Sequence, residues 1–452
     1  MKNSLAPNSK LLKGEETSQN NLNNDFPKLY LKQIFLYSIL GSAVWLSVVA
    51  LRPMRVWVGI FFFLLLLLVS AILLLEKRPI DSLTILVYLA IIQPIPRTYI
   101  YDLPYLSLEY FFLGWVVLFI ILSSEHNKSI KSPLIFYSFY LILEILGLFN
   151  ARIFESARST LISSLCLGAA LLLLGRINLD KKDLSKIFSS VITGTFSILS
   201  IITYKYLISP SIQWGAESNF STSGGMGPVQ ISMLLAIGVI TLLIFLNKKT
   251  GFNRVIYLFI AAVISTGMIL TFSRNGLYLV AIVIIFYYFL FNRPSAQNII
   301  ILIGIGLFSY VVYYFSYQAA GLAFINRFTD IGTTNRVDIA LAGWNIFLDN
   351  PFTGVGTSNF SYTVSLNNYF GYYTGSHNEL IRAAAEHGIF GLLSWLLFSL
   401  TALWYAFTQK KGNVRAFSMS LLAIIYAYLF VNGLKLIIQP ILFIIALSVE
   451  DY

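Results

Sequence analysis

Arg274, in TFSRNGL, falls where one long apolar run meets the next. An ionisable side chain at membrane depth is costly, so it points at a partner, a cavity or the interface. Here it either snorkels at a hairpin or faces a lipid phosphate. Arg336 opens NRVDIALAGWNIFLDNPFTGVG; with Arg327 and Arg382 it supplies the basic residues of a long polar segment that contains no lysine. The planar guanidinium fork suits bidentate phosphate contacts, where lysine offers only a point charge, which hints at an anionic ligand. Val337 to Leu348 has apolar residues at helical spacing and predicts an amphipathic helix lying on the membrane surface, begun by Arg336. Asn350-Pro351 stops it. Gly354 and Gly356 then either cradle a phosphate through backbone amides or serve only a tight turn.

SHNELIRAAAEHGIFGLL follows. Ser376 is the expected N-cap, with Glu379 three residues on, in the pattern of a capping box. His377 then lies in the first helical turn, either as a general base able to accept a proton near neutral pH or as a polar residue satisfied at a helix end. Glu379 and Arg382 are three apart, and Arg382 and Glu386 four apart, spacings that pair along one helix face. The aromatics of NFSYTVSLNNYFGYYTG fit either sugar stacking or an interfacial belt, the belt being the commoner use. Glu109 and Glu144 lie in or near apolar runs as candidate functional acids, without an evident partner in the sequence.

The elements that must position these groups are membrane helices. The chain has 452 residues, of which 57% are hydrophobic and 11% charged, and its mean hydropathy is +0.76. That composition excludes an ordinary soluble domain. Runs such as VWVGIFFFLLLLLVSAILLL match the ~20 apolar residues of a bilayer-crossing helix, whereas a barrel would show short alternating segments. The expectation is an all-α polytopic membrane protein with about 12–14 helices by this length criterion. Spans fall near 31–51, 56–75, 82–95, 104–123, 133–149, 157–175, 187–208, 228–246, 255–272, 276–291, 297–316, 388–408, 416–432 and 434–448, the last pair broken or re-entrant. The divisions are a flexible tail (1–30), a first helical block (31–316), one large polar loop with amphipathic helices (317–386) and C-terminal helices (387–452).

Loop charge gives the orientation, because cytoplasmic loops are enriched in Lys and Arg. With the tail inside, Lys77, Arg78, Lys128, Lys131, Lys181, Lys182, Lys186, Lys248, Lys249, Arg254, Arg293, Lys410, Lys411 and Arg415 all fall in inner loops or at inner helix ends, while SPSIQWGAESNFSTSGGMG has no basic residue. The loop 317–386 is then outside. The net charge of +11 is accounted for by this topology, so nucleic acid is not an expected partner. Cys166 is the single cysteine, which rules out an intramolecular disulfide and a thiol metal site.

Taken together, SRNG at Ser273, the stretch from Arg336 through NPFTGVG, and SHNELIRAAAEHGIFG resemble the O-antigen ligase and O-antigen polymerase family of bacterial membrane glycosyltransferases. SGGMGPVQISMLLAIG, from Ser223, looks like the same family's loop-to-helix passage, although a position often polar there is Val229 in this chain. The resemblance is strongest over roughly 210–395. It implies a GT-C-like enzyme of the bacterial plasma membrane, acting at the outer, periplasmic face on an undecaprenyl-pyrophosphate-linked glycan. The acceptor is a glycan or glycolipid, the surroundings are lipid bilayer, other polysaccharide assembly proteins are candidate partners, and no cofactor is required. By the resemblance, Arg274 and Arg336 stabilise the leaving pyrophosphate and His377 acts on the acceptor hydroxyl. Glu379, Arg382 and Glu386 support them, and Arg152 and Arg158 are further phosphate candidates. The outward-facing segments contain no DxD-like acidic cluster, so metal-independent transfer is expected. Polymerisation of a surface polysaccharide is the favoured reaction, and ligation to lipid A core is the alternative. A lipid-linked oligosaccharide flippase or transporter, which needs charges along a transmembrane path, is the rival from another class.

Overall fold

A computed structural model describes residues 26–50, 55–100, 108–123, 132–208, 218, 220–246, 251–287, 336–366, 374–434 and 436–450, with scattered positions between 303 and 321. The predicted tail up to residue 25, most of the predicted span 297–316, Arg327, Arg293 and the second half of the aromatic stretch lie outside the described residues.

The helices in chain order are α1 (Phe26–Ala50), α2 (Arg55–Leu75), α3 (Pro79–Ile92), α4 (Pro94–Tyr99), α5 (Leu108–Leu122), α6 (Ser132–Gly147), α7 (Phe154–Leu172), α8 (Lys181–Ile208), α9 (Pro228–Leu246), α10 (Gly251–Leu270), α11 (Asn275–Ile284), α12 (Arg336–Asp349), α13 (Phe360–Leu366), α14 (Glu379–Gln409), α15 (Gly412–Asn432) and α16 (Ile438–Ser448). Among the described residues, eight helices are long and apolar enough to cross a membrane, and four more are apolar but shorter. The protein is an all-helical polytopic membrane protein, the architecture in which every backbone polar group can be satisfied without water.

The physical reasons differ from helix to helix. α2 is apolar on every side across 21 residues, a length of about 31 Å at 1.5 Å per residue and so close to the hydrocarbon thickness. α3 begins and ends three residues before its expected span, and it stops there because Pro94 follows Gln93 and opens a new helix. Its 14 residues lie among other helices, with Leu83, Leu86, Val87 and Leu89 to Ile92 fully buried. α9 is the most enclosed of the long spans, 83% buried inside the protein. α14 turns Phe390, Leu393, Leu397, Leu400, Trp404 and Phe407 outward as one exposed stripe at three- and four-residue spacing, the pattern of a lipid-facing side.

α16 is the counterpart of the expected broken span. All 11 of its residues are buried, which places it inside the helix bundle and not against lipid. Irregular backbone at membrane depth is tolerated only where the protein itself satisfies it, and the break between α15 and α16 meets that condition. Leu434 N donates to Glu379 Oε1 at 2.6 Å, Leu436 N to Gln439 Oε1 at 3.2 Å and Ile437 N to Gln93 Oε1 at 3.1 Å. Gln439 Nε2 donates to the Gly433 carbonyl at 2.7 Å.

Candidate active site

The site is assembled around the packing of α6 on α14. α14 is two helical pieces joined at Gly388, whose φ of +63° and ψ of −152° interrupt the helix. The N-terminal piece carries Glu379, Arg382 and Glu386, which pair as their spacing predicts. Arg382 Nε donates to Glu379 Oε2 at 2.8 Å, and Nη1 to Glu386 Oε2 at 3.0 Å. A third carboxylate comes from α6: Arg382 Nη2 lies 2.8 Å from Glu144 Oε1 and 2.9 Å from the Tyr140 hydroxyl, which itself donates to Glu144 Oε1 at 2.8 Å. The side chains of Glu144, Glu386, Glu379 and Arg382 are 0%, 1%, 7% and 11% exposed. One guanidinium therefore joins three carboxylates out of reach of bulk water, and two of them have a second task. Glu379 holds the α15–α16 break, and Glu386 Oε1 accepts from Phe360 N at 3.4 Å.

The N-terminus of α14 departs from expectation. Its cap is Asn378, not Ser376: Asn378 Oδ1 accepts from Leu380 N at 2.9 Å and Ile381 N at 3.2 Å. Glu379 is the first helical residue and turns its carboxylate to Leu434 N and Arg382, so no capping box closes back on Ser376. His377 consequently precedes the helix instead of lying in its first turn. It sits in the left-handed region, with φ of +52°, a conformation uncommon for a residue with a Cβ.

NPFTGVGTSNF wedges between α6 and α14. Gly354 N donates to Asn350 O, Val355 N to Ala385 O and Gly356 N to Glu386 O at 3.0, 3.0 and 2.9 Å. Ile389 N, beyond the α14 kink, donates to Pro351 O at 2.7 Å. The amides offered to a phosphate in the sequence are thus engaged by the chain itself. At Gly354, φ is +65°, and a Cβ would overlap the backbone of Glu386 and His387. Thr357 Oγ1 donates to Glu144 O at 2.6 Å. Asn359 Nδ2 donates to Asn150 O and Val355 O at 2.8 and 2.7 Å, and its Oδ1 accepts from Arg152 N at 2.9 Å. Phe360 is buried with Val364, Ile339, Ala342, Ile346 and Ala385 in a small core between α12, α13 and α14, so the start of the aromatic stretch is packing, not a free sugar platform.

Arg336 is the first residue of α12, and Arg274 is the N-cap residue of α11; both are half-buried. The SRNG turn is held from α9: Ser232 Oγ donates to Ser273 O at 3.0 Å and accepts from Gly276 N at 3.1 Å. Phe272, two residues before Arg274, is also left-handed, with φ of +57°. Strained backbone of this kind gathers at functional sites; among the described residues it occurs at His377, at Ser358 in the wedge and beside Arg274, and also at Lys77, away from the site.

Several participants escaped sequence reasoning. Glu144 gains its partner from residue 382, and Glu109 gains one from the residue joining α3 to α4, with Gln93 Nε2 donating to Glu109 Oε1 at 2.7 Å. Ser232, Thr357 and Asn359 carry no signal in a single sequence beyond their place in the quoted stretches, and Tyr140 carries none. His387 is buried with its ring edge-on to Tyr140 at 5.7 Å. Arg158 pairs with Glu155 at 2.6 Å on the surface.

Residues 259–396 match the family model described as O-antigen ligase, and no curated protein matches the chain. The matched stretch contains Arg274, Arg336, Gly354, Gly356, His377, Glu379, Arg382 and Glu386. The chain is thus a polytopic membrane protein that carries an O-antigen ligase family segment over residues 259–396.

Proposed function

We propose that this protein is a membrane glycosyltransferase that moves a glycan from an undecaprenyl-pyrophosphate carrier to an acceptor sugar hydroxyl, polymerising a surface polysaccharide such as O-antigen, capsule or exopolysaccharide. At the coarser level of ligation or polymerisation of such glycans, the reading follows the family match. The observation that supports the finer one is that α12, which begins at Arg336, and the NPFTGVG wedge both pack on the start of α14, which His377 precedes, all within the matched segment.

In the reaction, the bond between the anomeric carbon and the pyrophosphate oxygen breaks as the acceptor oxygen bonds to that carbon. Undecaprenyl pyrophosphate leaves with the electron pair. Arg274 and Arg336 stabilise the charge that develops on it, as preorganised cations do where water is scarce. The hydroxyl proton passes to His377 or to the departing phosphate. Glu379, Arg382 and Glu386 bear on the substrate indirectly: the guanidinium is held by carboxylates, and together they fix the helix start beside His377. Gly354 serves close packing of the wedge on α14, and Gly356 its packing on the end of α6. The proposal includes metal independence.

The outer face is the proposed site of reaction. The alternation of loop charge supports it, and so do the contacts between helix ends. Asp81 and Lys186, paired at 2.8 Å, and Lys410, bonded to Val449 O, meet at the helix ends assigned to the cytoplasm. Glu144, Arg382 and the α15–α16 break meet at the opposite ends.

Electrophoresis of surface and lipid-linked glycans from a deletion strain tests the reading. Single repeat units on the final anchor, restored to long chains by the wild-type gene but not by Arg336→Ala, are expected of a polymerase. Long polymer stranded on the lipid carrier would make the protein a ligase, and unchanged glycans would overturn both.

A further inference from the structure

α12 has three sides, and only two of them are accounted for by the site. Projected at about 100° per residue, Ile339, Ala342, Gly343, Ile346 and Phe347 form the side buried against α13 and α14. Asp338, Asn345 and Asp349 form a narrow exposed polar side, within a sector of about 40° at the same pitch. Val337, Leu341, Trp344 and Leu348, at i, i+4, i+7 and i+11, form a separate stripe about 60° wide on that projection. They are 50%, 57%, 41% and 58% exposed.

An apolar stripe of that length beside a polar one does not suit water, and its surroundings say what covers it. The stripe leads to Phe352, 70% exposed just beyond the helix, whose carbonyl abuts Gly388. Phe390 follows at 50% exposure and opens the outward apolar stripe of α14, so the exposed side of α12 continues the lipid-facing side of a membrane-spanning helix. A tryptophan near the middle of the stripe is the side chain favoured at the boundary of hydrocarbon and headgroups. The polar side is where such a helix meets water.

We propose that α12 is a three-sided interfacial helix, packed on α14 by one side and hydrated on the second, with the Val337–Leu341–Trp344–Leu348 stripe embedded in the acyl chains of bilayer phospholipid. Arg336, at the head of this helix, is thereby held at the depth of the phosphates. The embedding does not depend on the transfer reaction and stands or falls separately from it.

Spin labels on the full-length protein in phospholipid nanodiscs test the placement. Cys166 is fully buried, and the wild-type protein serves as the unlabelled control. Labels at Leu341→Cys and Leu348→Cys are compared with labels at Asn345→Cys and Asp349→Cys for relaxation by oxygen, which concentrates in hydrocarbon, and by a water-soluble nickel chelate. The first pair is expected to be oxygen-exposed and nickel-shielded, and the second pair the reverse, in discs of pure phospholipid. Equal nickel access at all four positions would place the stripe in water and overturn the proposal. Shielding of 341 and 348 from both reagents would mean that protein covers it, and nickel shielding that appears only after undecaprenyl phosphate is added would mean that the carrier's tail does. Each of these results also overturns the proposal.

Discussion

Replacing Arg382 with methionine should destabilise the α6–α14 assembly far more than the loss of one surface ion pair, because it leaves Glu144, Glu379 and Glu386 together with no cation. Their side chains are 0%, 7% and 1% exposed. Removing one partner of a buried pair costs about 3–5 kcal/mol, mostly through the charge left behind. Arg382→Lys retains the charge, but one ammonium cannot reproduce contacts of 2.8, 2.8 and 3.0 Å on three sides. Loss of a single charged hydrogen bond, about 1.5–3 kcal/mol, is the expected scale. If orphaned charge is the cause, adding Glu144→Gln to Arg382→Met should recover part of the loss, a coupling that independent sites would not show. The assay is the midpoint of heat-induced loss of monodisperse protein in nanodiscs, with the expected order wild type, Arg382→Lys, the double variant, then Arg382→Met. A wild-type midpoint for Arg382→Met would refute the role of the cluster, and a double variant less stable than Arg382→Met would refute its electrostatic cause.

Gly354→Ala should lower the same midpoint, since an alanine at φ +65° costs about 1–2 kcal/mol in backbone conformation and must also displace the backbone of Glu386 and His387 by overpacking, typically about 1–3 kcal/mol; an unchanged midpoint would argue against the close approach. Arg336→Lys should insert normally yet lose most transfer, because the charge survives without the fork, and turnover near that of wild type would count against a phosphate clamp. Chelator added to membranes should leave transfer unchanged, whereas a loss restored by a divalent cation would contradict metal independence.

The long spans were readable because a helix needs only a run of apolar residues to cross a bilayer, and α1, α2, α9, α10 and α15 lie where hydropathy puts them. The short helices were less so. Hydropathy does not distinguish a helix that crosses lipid from one enclosed by protein, which is how α16 came to be 11 buried residues. At the site, pairing of Arg382 with Glu379 and Glu386 was readable because it follows helical spacing. Glu144 was not, because it lies 238 residues away in the chain and only the fold brings it to 2.8 Å. The N-cap was misjudged because SHNE offers two good capping residues, and the choice is settled by a distant group: Leu434 N draws the Glu379 carboxylate away from the helix start. The glycines of GVG announced a tight turn, but that its amides meet the α14 carbonyls is a tertiary fact.

The most direct test of the central claim is transfer by the purified protein in proteoliposomes, given an undecaprenyl-pyrophosphate-linked oligosaccharide and no nucleotide sugar. Elongated glycan on the lipid carrier, with undecaprenyl pyrophosphate released one for one with each new linkage, and neither product from Arg336→Ala, is the predicted result. Movement of the intact lipid-linked glycan between leaflets without any new linkage would contradict it and make the protein a transporter.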